Sequence, residues 1–321
     1  MRSTEIAVAA SDGVTVRGRR WLPDEDGAVR AVLILAHGMA EHGARYAPLA
    51  EVATASGWAV WAHDHRGHGL TATDNGQPFG HLGDRDGWRL LSDDLDVVRR
   101  AAEQEHPGVP VFLLGHSMGS LVVRTYVLDH AAGLAGVVLS GTAGDPGVMR
   151  QLGLAVASAQ VRVRGVRRPS PLMNALTFGS FNRPFRPAGG AETGFEWLSR
   201  DAEQVQAYLD DPWCGFVCSA GFFRDLLAGV AQIHDPGRLA GLPVGLPVLL
   251  ISGEDDPVGG RGVGVRQSAA ALRVAGLRDV TVRLYPSARH EILNETCRDR
   301  VTSELMSWLE EHLAPAGTQA S

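Results

Sequence analysis

The chain has 321 residues, 45% of them apolar and 21% charged, with a formal net charge of −6. That length suits one large α/β domain carrying an insertion, and the charge balance offers no basic face of the kind a nucleic-acid partner requires. No stretch of about 18 apolar residues runs uninterrupted, and the first ten residues lack a signal peptide's apolar centre, so a cytoplasmic protein is expected.

The first apolar run is residues 31–36 (AVLILA), followed by 58–62 (WAVWA), 111–114 (VFLL) and 136–139 (GVVL). Each is near-continuously apolar, as strands buried on both faces are. Between the second and third, Leu90, Leu91, Leu95, Val98 and Ala102 recur at three-to-four-residue spacing and predict a helix over 87–105 that ends at His106-Pro107-Gly108. From 145 to 235 the alternation stops, and Gly/Pro-broken helical pieces follow with no convincing strand. It resumes with strands at 248–251 and 280–284 and a closing helix over 294–313. The pattern predicts an α/β fold with a mostly parallel central sheet flanked by helices: a core of 1–144 and 236–321, and a helical cap of 145–235. Cys214, Cys218 and Cys297 lack zinc or redox spacing and read as reduced thiols.

Gly115-His116-Ser117-Met118-Gly119 has the form G-x-S-x-G, set between a strand and an amphipathic helix. A turn that tight lifts a serine hydroxyl clear of the sheet, and the helix starting there offers unpaired N–H groups to a developing negative charge. A serine hydroxyl needs a base before it attacks anything, so a histidine and an orienting carboxylate are expected downstream. Of twelve histidines, His290 stands just past the strand at 280–284. The acid is expected one strand earlier, where Glu254, Asp255 and Asp256 follow 248–251; spacing does not separate Asp255 from Asp256. His37-Gly38-Met39 follows the first strand, where this architecture supplies a second oxyanion donor, so the backbone N–H groups of Met39 and Met118 are the expected pair. The histidine-rich turn at 64–69 carries two glycines and an arginine, and reads as a hydrogen-bonded turn rather than a metal cage. Neither a metal nor a cofactor is expected.

HGMAEHGARY (37–46), DHRGHG (64–69), GHSMGS (115–120), SGEDDPV (252–258) and YPSARHEILNE (285–295) together resemble the monoacylglycerol lipase and lysophospholipase branch of the α/β-hydrolases, the serine aminopeptidase-like group. The resemblance implies that Asp256 is the acid, with Asp255 in reserve, and that Met39 and Met118 are the oxyanion donors. Ser120 departs from the second glycine often found at that point. The resemblance also implies a fatty acyl ester as substrate. Thioesterase, amidase or perhydrolase chemistry on the same triad, and a binding protein without catalysis, are the alternatives. In the cap, Phe216, Phe222 and Phe223, with Leu226, Leu227 and Val230, are expected either to line an acyl channel or to pack the cap on the core. Arg162, Arg164, Arg167 and Arg168 are placed to meet an anionic membrane surface or head group, a solvated face being the plainer reading.

Overall fold

The computed structural model describes residues 1–24, 28–186 and 192–313; the polar tail after Leu313 lies outside them. In chain order the elements are β1 (Arg2–Ala9), β2 (Thr15–Leu22), β3 (Ala31–Ala36), α1 (Ala47–Ala55), β4 (Trp58–His63), α2 (Gly69–Asp74), α3 (Gly87–Glu105), β5 (Val111–His116), α4 (Met118–His130) and β6 (Leu134–Ser140). After them come α5 (Val148–Arg164), α6 (Pro171–Phe178), α7 (Ala202–Asp210), α8 (Ala220–Gly229), α9 (Pro236–Leu239), β7 (Val248–Gly253), α10 (Val263–Val274), β8 (Val280–Tyr285) and α11 (Arg298–Glu311).

Eight strands form one sheet in the order β1-β2-β4-β3-β5-β6-β7-β8. The pairings from β4 through β8 are parallel, while β1–β2 and β2–β4 are antiparallel. Every residue of β3, β4, β5 and β7 is buried, which is why their text is apolar up to the polar residues His63, His116 and Ser252 near the ends of β4, β5 and β7. Alternate residues feed opposite layers. Val32 and Ile34 join Leu91, Leu95, Val122 and Tyr126 of α3 and α4, whereas Leu33 and Leu35 join Leu49 of α1 and Leu305 and Trp308 of α11. Each fully buried leucine here stabilises the fold by about 1.5–3 kcal/mol.

The hairpin β1–β2 was not among the expected strands. β1 is largely exposed and β2 largely half-buried, and both mix polar with apolar residues, so no apolar run marks the hairpin. The closing helix begins at Arg298 rather than 294, because Ile292–Asn294 turns as a 3-10 helix and the Glu295 carboxylate takes the N–H groups of Arg289, Arg200 and Thr296.

Between β6 and β7 the described residues form α5 to α9 and 3-10 turns, with one isolated bridge from Pro169 to Ser219. Side-chain oxygens of Ser170, Asp201, Ser219 and Asp235 accept the first free N–H groups of α6, α7, α8 and α9, fixing where each starts. Arg124 of α4 is buried, forms no ion pair among the described residues, and donates to the carbonyls of Ala143 (2.9 Å) and Ile233 (3.3 Å). One guanidinium thus joins α4 to residues 143 and 233, on either side of α5 to α8, at the cost of a desolvation that brings its pKa down to about 10.

Candidate active site

Ser117 occupies the turn from β5 into α4 with φ 52° and ψ −120°, a strained conformation for any residue but glycine. Two neighbours make that turn possible. A Cβ on Gly119 would sit 2.0 Å from the Ala36 carbonyl oxygen, and one on Gly115 2.4 Å from that of Gly119. The Ser117 N–H is tied to the Ser140 carbonyl at 2.8 Å, so β5, β6 and the helix jointly fix the serine.

His290 lies on the loop after β8, which crosses so close to the end of β7 that a Cβ on Gly253 would meet the Ala288 oxygen at 2.0 Å. Its Nε2 is 2.8 Å from Ser117 Oγ and its Nδ1 is 3.0 Å from Asp256 Oδ1. Asp256 also accepts from the Val258 N–H (2.8 Å) and the Ser252 hydroxyl (3.0 Å), and is fully buried. Glu254 is exposed and Asp255 half-buried, and neither side chain bonds His290, so the three acids that spacing left together take different places.

Burial alone would raise the Asp256 pKa, but the adjoining His290 and the donors around it hold the carboxyl below its usual 3.8. Burial alone would likewise lower His290; the Asp256 carboxylate, with Glu291 and Glu41 behind it, instead holds the imidazole above 6.5. His116, whose ring centre lies 4.8 Å from that of His290, is pushed by burial down to about 4 and is therefore neutral near pH 7.

Gly38 packs within 3.3 Å of the Ser117 Cβ at the position its own Cβ would take, which brings the loop after β3 over the serine. Among the described residues, neither the Met39 nor the Met118 amide N–H has an acceptor. Below this loop the 64–69 turn is knitted in by hydrogen bonds. Asp64 accepts from the N–H groups of Gly43 and Leu70, His37 Nε2 accepts the His65 N–H, and His68 Nε2 accepts the Ala40 N–H. Among the described residues one trio, His42, Asp211 and Cys214, gathers metal-ligating atoms. His42 Nε2 bonds Asp211 Oδ2 at 2.8 Å, and burial raises the Cys214 thiol far above its ordinary value.

A cavity of about 350 Å³ opens above Ser117, lined by Met39, Glu41, Asn174, Phe178, Trp197, Tyr208, Phe216 and His290 among others. Of the three aromatic residues expected there, Phe216 lines it. Phe222 and Phe223 do not. They are 0% and 1% exposed and pack into the core, because α8 lies against α3 and α5 and turns its apolar face inward. Their place on the wall is taken by Phe178, Phe195, Trp197, Leu198 and Tyr208, with Trp197 stacked on Phe178 and 5.1 Å from the His290 ring. Most of these stand in irregular or Gly-punctuated text, where no periodicity announces a face. Arg167 pairs with Asp84 at 2.8 Å on the surface.

A family model described as serine aminopeptidase, S33, matches residues 27–297. A monoacylglycerol lipase of Mycolicibacterium smegmatis is 33% identical over 312 residues, covering 97% of this chain and 98% of that protein. The human monoglyceride lipase is 26% identical over 322 residues, covering 96% and 91%. Among solved structures, a highly thermostable carboxyl esterase from Bacillus coagulans, in complex with glycerol, superposes with a TM-score of 0.88 at 27% identity, covering 98% of this chain and all of that one. The α/β core, the nucleophile elbow and a match that spans most of the chain place it in the serine aminopeptidase S33 family of α/β-hydrolases.

Proposed function

We propose that this chain hydrolyses carboxylic esters through an acyl-enzyme, with monoacylglycerols or lysophospholipids as substrates, and that Ser117, His290 and Asp256 carry the reaction. The observation that supports this most is the unbroken line from Ser117 Oγ through His290 to Asp256, at 2.8 and 3.0 Å, beneath a largely aromatic cavity. His290 Nε2 takes the hydroxyl proton as Ser117 Oγ attacks the ester carbonyl. The tetrahedral oxyanion meets the free N–H groups of Met39 and Met118, each lowering the barrier by about 3 kcal/mol. Collapse passes the proton from His290 to the departing alcohol. Water, activated by the same imidazole, then releases the acid and restores Ser117. The step asks nothing of a cofactor.

The M. smegmatis and human relatives, a monoacylglycerol lipase and a monoglyceride lipase, favour a glycerol ester, and the aromatic wall suits its acyl chain. Residues 145–235 act as the lid over that cavity. Val148, Met149, Leu152 and Val163 of α5 and Leu172 and Leu176 of α6 stand exposed, Val163 at 85%, with Arg162, Arg164 and Arg168 beside them. Such a face suits transient contact with an anionic lipid surface from which the ester is drawn. No described helix is long and apolar enough to cross a membrane. A cytoplasmic setting belongs to the same reading and is favoured by three unpaired cysteines.

Initial rates on monoacylglycerols, lysophospholipids, acyl thioesters and aminoacyl anilides test the reading, with Ser117→Ala as control. Esters are expected to rank first and the control to be inert. Thioesters or anilides ahead of every ester would overturn the substrate class, and an active Ser117→Ala the mechanism.

A further inference from the structure

Arg45 stands in the 3-10 turn Gly43–Tyr46, outside the cavity wall, and is the centre of a buried ion network that the reaction as written leaves unused. Its Nη1 donates to Glu41 Oε2 at 2.6 Å and to Glu291 Oε1 at 2.8 Å, and its Nη2 to Glu291 Oε2 at 2.7 Å. The three side chains are only 11%, 4% and 6% exposed. The guanidinium also lies 5.0 Å from the centre of the Tyr208 ring.

Both carboxylates lead directly to reacting groups. Glu41 Oε1 accepts the Gly38 N–H at 2.5 Å and the Tyr46 hydroxyl at 2.9 Å, so it fixes the His37–Gly38 peptide, one unit before the peptide that carries the Met39 N–H. Glu291 follows His290 in sequence, holds Asn294 through Oε2 at 2.9 Å, and donates its own N–H to the Leu198 carbonyl at 2.8 Å. The oxyanion loop and the base loop are 246 residues apart, and one guanidinium spans them. Desolvating two carboxylates and a guanidinium is costly, and a well-packed apolar trio would serve stability as well or better. What an apolar trio lacks is direction: a bidentate guanidinium fixes both distance and angle.

Resting on the proposed ester hydrolysis, we infer that Arg45 is a positioning residue: by clamping Glu41 and Glu291 it holds the Met39 amide and the His290 imidazole in one rigid frame around Ser117.

The charged and titratable groups facing His290 are Asp256 after β7, Glu291 beside it, Glu41 of the oxyanion loop and His116 of β5, with Arg45 offsetting the two glutamates. Arg45→Met, Arg45→Lys and Glu291→Gln are compared with the wild type on a water-soluble short-chain ester, and by the rate at which a fluorophosphonate labels Ser117. For Arg45→Met, kcat is expected to fall about 30- to 300-fold, the scale of one misplaced oxyanion donor, with KM changed less than about threefold. Arg45→Lys recovers part of that loss, because an ammonium holds one carboxylate but not the fork.

Glu291→Gln removes a carboxylate from the imidazole and leaves Arg45 less neutralised. Both changes disfavour the imidazolium, so the acid limb of kcat/KM moves to lower pH. A merely structural role lowers rates without moving that limb. Unchanged kcat in Arg45→Met, a loss confined to KM, or an unmoved acid limb in Glu291→Gln overturns the inference. Should Arg45→Met fail to fold, the lysine variant and Glu291→Gln decide it. Should the wild type turn over no ester, the substrate reading fails on its own, while the pH dependence of Ser117 labelling still reads the clamp.

Discussion

Replacing Asp256 by Asn separates the charge of the triad acid from its geometry. Oδ1 accepts from both His290 Nδ1 and the Val258 N–H, whereas Oδ2 faces only the Ser252 hydroxyl, which accepts as readily as it donates. An asparagine therefore fits with its oxygen at the Oδ1 place and its amide nitrogen toward Ser252, keeping the imidazole tautomer that leaves Nε2 free for Ser117. The loss is then the attraction between a carboxylate and the imidazolium formed during reaction. At a few ångströms and an effective dielectric of about 20 this is about 4 kcal/mol, or roughly three powers of ten in rate. The assay is kcat/KM against pH on a soluble ester, with Asp255→Asn alongside. Asp256→Asn should lose about a thousandfold, and its acid limb should shift to lower pH because His290 loses the charge that holds its pKa up. Asp255→Asn should stay within about twofold. The reasoning fails if Asp256→Asn keeps more than a tenth of wild-type activity, or if Asp255→Asn falls as far.

Three further outcomes follow from the same geometry. As the proposed base, His290 would act only when neutral, and its pKa is raised above 6.5, so wild-type kcat/KM should decline as pH falls through a midpoint above 6.5. A midpoint at or below that value contradicts the burial-plus-carboxylate account. Gly119→Ala drives a methyl to within 2.0 Å of the Ala36 carbonyl oxygen and 2.5 Å of that of His37, backbone atoms that cannot swing aside. It should cost about 3 kcal/mol or more in a thermal melt and reduce the rate at least tenfold, since the elbow and the oxyanion loop are the surfaces forced apart. Leu172→Ser with Leu176→Ser removes two exposed apolar groups from α6. Co-sedimentation with anionic vesicles and turnover of vesicle-borne monoacylglycerol should both drop severalfold while a soluble ester is hydrolysed as before; equal loss on both substrates would argue against membrane contact.

Most of the strands that sequence displays, β3, β4, β5 and β7, are buried on both faces and so carry near-continuous apolar runs; β8 is half-buried and shows as an alternating one. The β1–β2 hairpin escapes for the complementary reason: an edge strand such as RSTEIAVA buries little, and its partner is recognised only once Gly18 is seen pressed against the Ala62 carbonyl. Strand ends were similarly cut short. Gly115-His116 and Ser252-Gly253 look like turns in the text, yet they continue β5 and β7, since the close crossing of α4 and the base loop requires glycine there. Local motifs pointed to Ser117, His290 and a trio of acids; spacing left Asp255 and Asp256 together, the family resemblance favoured Asp256, and the fold puts Asp256 against the imidazole. The sequence left Phe222 and Phe223 between lining an acyl channel and packing on the core, because their apolar character is silent on which way α8 turns them. The wall that Trp197 and Phe195 build comes from a non-repeating loop. A signal for the Arg45 clamp was nonetheless present: Glu41 and Arg45 stand four apart in the loop motif, and Glu291 adjoins the base.

The most direct measurement is intact-protein and peptide mass spectrometry after a short exposure to a fluorophosphonate, followed by the same analysis on enzyme acid-quenched during turnover of a long-chain monoacylglycerol. The account predicts one adduct per chain on the peptide carrying Ser117, an acyl group on that same hydroxyl during turnover, and neither in Ser117→Ala. Ester hydrolysis that proceeds with Ser117 unmodified, or an adduct on another residue, would contradict it.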